Sequence, residues 1–418
     1  MRLKTLQECE LALRAFVPPP RSQRQKYNLR HIRAFMEATG NPQNSYQVVH
    51  VAGTSGKTST CYYLASLFTN AGLKTGLTVS PHITKVTERV QINLQPASDE
   101  DFAQELSVFL DLVQEVGIEL TYFEVLIAFA YWYFAQMKVD VAVIETGLGG
   151  LMDGSNVVHN SAKVCVLTDI GLDHTAVLGD TIPQIAAQKA GIIGEQNEAF
   201  TWKQPRNVLS VFRNAAKMQR SELHILEREV PALPDTLPLF QKHNLSLAVE
   251  VASWTMLHRF SRELPQQAVL GAAHQSIPAR MEQVERGGRR IVLDGAHNPQ
   301  KMHALVESYK AMFPSSQPAI LFSCIEGPDS KIEQSVAELL TLRPSRVVIT
   351  AFQSLQDIKK ISVEPEKLQQ VFKAAGYTAT EIIKRPDDGL EALLKTEDDI
   401  LVTGSLYLIF DVRSTVLS

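Results

Sequence analysis

One eight-residue stretch constrains this chain more than any other. Val51-Ala-Gly53-Thr54-Ser55-Gly56-Lys57-Thr58 follows the β-rich run 47–51. It precedes a segment in which Cys61, Leu64, Ala65 and Phe68 recur at helical spacing. A strand that turns through glycines into a helix gathers backbone N–H groups and the positive end of the helix dipole at one point, which suits a phosphate. Lys57 can then reach the terminal phosphates of a nucleotide, and the Thr58 hydroxyl can ligate Mg²⁺. The long form of this loop has a glycine where Val51 stands, so the spacing is a shortened Gly-x-x-Gly-Lys-Thr. A glycine-rich turn that merely caps a helix is the competing reading.

The rest of the chain alternates in the same way. Gly72 is placed to end the first helix, and 75–80 reads as the next strand. A mostly apolar helix over 121–136 precedes continuous apolar strands at 139–145 and 163–168, the pattern of a parallel sheet covered on both faces. Three prolines in 231–238 mark a loop, 244–257 reads as a helix, and the small residues of 271–278 read as a linker. A second series follows, with strands at 291–293, 319–322, 346–349 and 400–402. The expectation is α/β with two domains: 1–279 around the phosphate loop and a mostly parallel sheet, and 280–418 as a smaller Rossmann-like domain.

Composition narrows the partners. The 418 residues are 45% apolar and 21% charged, which excludes a disordered or collagen-like chain. Lys and Arg number 41 against 45 Asp and Glu, a net charge of -4 that argues against nucleic acid as the main partner. Cys9, Cys61, Cys165 and Cys324 stand far apart with no CxxC pair, as in a reduced cytoplasmic protein. Segment 1–10 lacks the apolar core of a signal peptide, and the longest apolar run, 125–135, is too short to span a bilayer.

The phosphate loop resembles that of the Mur ligase superfamily, and the remaining motifs resemble folylpolyglutamate synthase/dihydrofolate synthase. They are Ser80-Pro-His82, Glu88-Arg-Val-Gln-Ile-Asn93, Thr121-Tyr-Phe123-Glu124, Glu145-Thr-Gly-Leu-Gly-Gly150 with Asp153-Gly-Ser-Asn156, Asp173-His174 with Leu178-Gly179, Lys189-Ala-Gly-Ile192, Asp294-Gly-Ala-His-Asn-Pro299 and Gly404-Ser-Leu-Tyr-Leu408. They run in family order from about residue 27 to 413. The chain departs from the family pattern at Leu151, where an Arg is usual, at Gly154-Ser155 for Ala-Thr, at Thr58-Ser59 for Gly-Ser, and at Ala279 for the Gly before Arg280.

The resemblance implies an ATP-dependent ligase adding L-glutamate to a folate, or to dihydropteroate, through an acyl phosphate. A Mur-type cell-wall ligase and a non-ligase P-loop ATPase are the rival functions. Gly53 to Thr58 would hold ATP, joined by Asn244, Arg280 and Asp294. Two Mg²⁺ sites are implied: Thr58, Ser80 and Glu145 at one, His174 and Lys189 at the other. Glu145 also fits independently, because it ends a buried strand at the edge where open α/β sheets bind ligands. Lys189 lies beside the apolar face of 182–193. It either snorkels or, kept neutral by desolvation, captures CO₂ as a carbamate. His297 would stand near the reacting groups. Thr121, Phe123, Asp153, Ser155 and Asn156 would line the pterin pocket, and Gly404-Ser405 would meet the glutamate. Arg280, at the linker, is placed to move as the domains close. The expected enzyme is a cytoplasmic monomer with no membrane partner.

Overall fold

The computed structural model describes residues 2–17, 28–231, 233–234, 236–354 and 360–417. The proline loop 231–238 therefore lies partly outside the described residues. The chain divides into two compact units: 1–233 with 243–275, and 234–242 with 276–418.

The first unit is built on eight strands: β1 Gln47–Ala52, β2 Thr75–Thr78, β3 Gln91–Ile92, β4 Gln95–Pro96, β5 Val141–Glu145, β6 Val164–Leu167, β7 Glu198–Trp202 and β8 Glu222–Leu226. Their order is β4-β3-β2-β5-β1-β6-β7-β8. Only β3 and β4 run antiparallel to their neighbours. β1 sits between β5 and β6, so the chain leaves it in one direction and later resumes on its other side. That reversal opens a crevice at the C-terminal strand ends, where doubly wound sheets take their ligands. β1, β5 and β6 are buried along nearly their whole length, which explains their unbroken apolar runs.

Helix Tyr122–Gln136 lies in the largest apolar cluster, with helices Leu6–Arg14, Arg30–Ala38 and Asp99–Val116 contributing Leu13, Phe35 and Phe109. Helix Lys57–Asn70 packs against helix Gln266–Ala273. That second helix takes up the first three residues of 271–278, and the division between the two units falls at 275/276, inside the segment read as a linker. A Cβ on Gly271 would meet the Asn70 amide at 2.6 Å, so its small residues serve close helix packing.

The second unit has β9 Glu282–Arg286, β10 Arg289–Asp294, β11 Ala319–Phe322, β12 Arg346–Ile349, β13 Gln353–Ser354, β14 Lys360–Ile361, β15 Thr380–Ile382 and β16 Ile400–Thr403. Six form a sheet of order β15-β12-β11-β16-β10-β9, parallel except for β9. β13 and β14 pair separately. No described helix is long and apolar enough to cross a membrane.

Candidate active site

The phosphate loop is pressed between two side chains. Gly56 opens helix Lys57–Asn70 at φ +85°, and a Cβ there would lie 2.4 Å from Asn244 Oδ1. A Cβ on Gly53 would overlap Thr168 Oγ1. Neither position tolerates a side chain, and Asn244 is brought to the loop as expected. Thr168 Oγ1 donates to the Ser55 carbonyl at 2.6 Å. The Thr54 and Ser55 amides donate to the Asp169 carbonyl at 2.8 and 3.3 Å. For an anion this leaves the first-turn amides, which have no helix carbonyl to bond, and the half-buried Lys57.

Behind the loop, Glu145 gathers two expected metal ligands. It is buried at the end of β5. Its Oε1 accepts from Thr58 Oγ1 at 2.8 Å, and its Oε2 accepts from the Ser80 amide at 3.1 Å. Carboxylate and hydroxyl oxygens of this kind are the donors Mg²⁺ takes. Lys189 arrives from helix Ile182–Ala190, which Thr181 and Gln184 close with a capping box. Its Nζ donates to the Gly53 carbonyl at 2.8 Å and the residue is 4% exposed, so it does not snorkel. His174 differs. It opens the short helix Thr175–Leu178 at φ +48°, its side chain is 58% exposed, and Nε2 stands 4.0 Å from Asp173 Oδ1.

The expected acceptor-lining residues also hold the local structure together. Thr121 caps helix Tyr122–Gln136: its hydroxyl donates to Glu124 Oε2 at 2.8 Å, and Glu124 also accepts from the Thr121 amide at 2.9 Å. Asp153 is buried and accepts from the Leu148 amide at 2.6 Å and from the Ser155 amide at 3.0 Å and hydroxyl. Burial pushes its carboxyl up, opposed by those hydrogen bonds. Ser155 has no exposed surface and contacts His50 Nε2 at 2.9 Å. Asn156 donates to the Gly191 carbonyl at 3.0 Å. These three fix the loop 147–156 from behind. Phe123, like Thr121, is partly exposed, and the absent Cβ of Gly147 makes room for its ring. Leu151 is 40% exposed on the same loop.

In the second unit, Asp294 ends β10, where Oδ2 accepts from the Met281 amide and Oδ1 from the Ala296 amide, both at 2.9 Å. Burial pushes its carboxyl up to about 6, against the opposing pull of Arg280. Arg280 Nη1 donates to the Ala279 carbonyl at 2.9 Å. His297 Nδ1 faces the Gly295 carbonyl at 2.8 Å and Nε2 faces Lys301 Nζ at 3.0 Å, a pairing that a neutral ring protonated on Nδ1 satisfies. Gly404 adopts φ +104° and has the Ser323 carbonyl where a Cβ would stand, 2.3 Å away. Ser405 is buried and its hydroxyl accepts from the Tyr407 amide at 3.1 Å.

The comparisons with known proteins divide the chain similarly. Residues 51–224 match the Mur ligase middle domain, and 279–406 match the "Mur ligase, glutamate ligase domain". The folylpolyglutamate synthase of Lacticaseibacillus casei is 31% identical, the match covering 93% of this chain and 94% of that protein. The chain belongs to the folylpolyglutamate synthase family of the Mur ligase superfamily. The dihydrofolate synthase/folylpolyglutamate synthase of Bacillus subtilis is 29% identical over 93% of this chain and 94% of its own. Among solved structures, Mycobacterium tuberculosis folylpolyglutamate synthase complexed with ADP superposes with a TM-score of 0.84 at 26% identity, covering 98% of both chains. E. coli FolC in complex with DHPP and ADP gives 0.81 at 25%, covering 99% of this chain and 98% of that one.

Family membership gives the motifs a physical sense that the sequence reading missed. Glu88 accepts from the amides of Ile83, Thr84 and Lys85, so it folds the turn after Ser80. Arg89 Nε donates to His82 Nδ1 at 3.0 Å. Burial, with Arg89 adding to it, pushes His82 down to about 3, so the ring is a neutral acceptor. Thr-x-x-Glu at 121–124 is a readable capping signal.

Proposed function

We propose that the chain joins L-glutamate to the carboxylate of a folate at the expense of ATP. The observation that carries this reading is the convergence of Thr58, Ser80 and Glu145 behind a lysine-bearing phosphate loop, in a chain whose family acts on folates. A carboxylate is a poor acyl donor at neutral pH. Transfer of the terminal phosphoryl group of ATP makes it an acyl phosphate, with ADP leaving. The glutamate amine attacks the acyl carbon, phosphate leaves, and the amine gives up a proton.

This chain's residues have separable tasks in that sequence. Lys57 and the first-turn amides balance charge on the transferring phosphoryl group. Thr58, Ser80 and Glu145 fit Mg²⁺, which supplies charge neutralisation between the phosphates when bound. Lys189 is suited to carbamylation: as a neutral amine it would attack CO₂ and release one proton to water, and the resulting anion, with His174, would hold a second metal ion. Arg280 and Asp294 are assigned to the nucleotide, His297 and Ser405 to the glutamate step, and Phe123 to stacking on the flat part of the acceptor. On this reading the first unit carries ATP and folate, the second acts as the glutamate-ligase domain, and one chain suffices. Dihydropteroate is the second acceptor, favoured by the bifunctional B. subtilis relative.

The test is ADP release with tetrahydrofolate, with and without glutamate. Glutamate-dependent release that falls about a hundredfold or more in Lys57→Ala is expected. A Lys57→Ala protein with near-normal turnover would remove the loop from the mechanism.

A further inference from the structure

A second group of metal-ligating side chains lies at the β8 edge of the first sheet, at the N-terminal strand ends, whereas the phosphate loop follows the C-terminal end of interior strand β1. Glu198 and Glu222 open β7 and β8, and these two positions are paired across the parallel strands. His224 follows Glu222 by two residues and so shares its face. The donor atoms of all three lie within 4.8 Å of one another, and His224 Nε2 is 2.7 Å from Glu198 Oε2.

We propose that Glu198, Glu222 and His224 form a binding site for a divalent transition metal, with Zn²⁺ as the best fit. Two carboxylates side by side on neighbouring strands repel each other, and one divalent cation neutralises both. The imidazole is already held for ligation. It stacks on Phe200 with centroids 4.4 Å apart and planes 17° apart, and it meets Trp254 at 6.3 Å. Phe200 is itself held edge-on by Trp254 at 5.9 Å. The ring is therefore fixed by packing, and its Nε2 faces the carboxylates. Tetrahedral ligands about 2.1 Å from one zinc ion stand roughly 3.4 Å apart. The most separated pair here would close by up to about 1.4 Å and the His224–Glu198 pair would open by about 0.7 Å, a side-chain movement open to Glu222, which is exposed on edge strand β8. One nitrogen with two carboxylates suits Zn²⁺ or Co²⁺ rather than Mg²⁺, which prefers an all-oxygen octahedron. The site would clamp β8 to β7, far from the chemistry, so its role is to hold the sheet edge rather than to catalyse.

The test is calorimetric titration of the chelator-treated full chain with Zn²⁺ in saturating Mg²⁺. A separate metal-free sample is titrated with Co²⁺ in place of Zn²⁺ to read a visible d–d band. About one equivalent of Zn²⁺ is expected to bind and to raise the melting temperature. Glu198→Gln and His224→Ala should each weaken binding by about tenfold or more and lose the Co²⁺ band. Glu222→Gln, an exposed change that leaves packing intact, should weaken it as well. Stoichiometric Zn²⁺ binding that none of the three substitutions alters, or no stoichiometric binding by the unmodified chain, overturns the proposal.

Discussion

Lys189 has two chemistries open to it, and they differ in sign. As an ammonium, hydrogen-bonded to the Gly53 carbonyl, it would place a positive charge beside the phosphate loop. As a carbamate it presents a negative charge and a metal ligand. Under the carbamate reading, Lys189→Ala loses turnover, short-chain carboxylic acids restore part of it, and Lys189→Arg stays inactive. Activity retained in Lys189→Arg would instead favour the ammonium. Asp294 makes a prediction in stability. Its folded pKa, pushed up to about 6, lies above the ordinary carboxylate range, because burial disfavours the carboxylate. The folded state therefore holds this proton more tightly, and the group's contribution to stability is lost as pH rises from about 4 to about 6. Two pKa units correspond to about 2–3 kcal/mol. Urea unfolding of the unmodified chain and of Asp294→Asn should show that difference changing across this window. Parallel pH profiles would mean that Asp294 is not raised.

At the scale of elements, legibility followed how directly a residue's type dictates its conformation. The strand, glycine turn and helix at 47–70 were readable because the hydrophobic period changes and two glycines punctuate it. The strands β5, β6, β10, β11, β12 and β16 were readable because buried parallel strands carry unbroken apolar runs. Segment 271–278 holds both the end of a helix and the division between the two units, because small residues serve tight helix contacts as well as joints, and nothing local separates the two. The acceptor segments show the same ambiguity in polar form. A Thr or Asp near a site can bind substrate or hold a loop, and only the hydrogen-bond partners decide. Thr121 tests this. As a cap, Thr121→Ala should cost about 1 kcal/mol, while Thr121→Ser keeps the stability and the acceptor KM of the unmodified chain. If Ser restores stability in thermal melts but leaves KM raised, the Thr121 methyl touches the acceptor and the cap is only half its role.

The whole molecule is a ligase of two units, and in the reading proposed above one loop of the first unit borders the acceptor. Loop 147–156 is held from behind by Asp153, Ser155 and Asn156, so its shape is fixed while its outer side is free to vary. Leu151 and Met152 lie on that outer side, 40% and 46% exposed, and the family resemblance implies an Arg at the position of Leu151. An isobutyl group in place of a guanidinium gives a drier wall and removes a bidentate partner for an anion. The frame we propose for phosphoryl transfer, Thr58 with Glu145 and Lys189 with Gly53, does not include Leu151. Changing that residue should therefore alter how the acceptor binds and leave the chemical step nearly intact. Leu151→Arg is expected to shift the KM for tetrahydrofolate severalfold, with kcat within about twofold, the pattern of an interaction made equally in ground and transition states. Steady-state ADP release with tetrahydrofolate, dihydropteroate and a cell-wall precursor, each with and without glutamate, reads both quantities. A fall in kcat at unchanged KM would place Leu151 against the reacting groups. Glutamate-dependent turnover with the cell-wall precursor alone would assign the acceptor pocket to the wider Mur ligase chemistry instead of to folates.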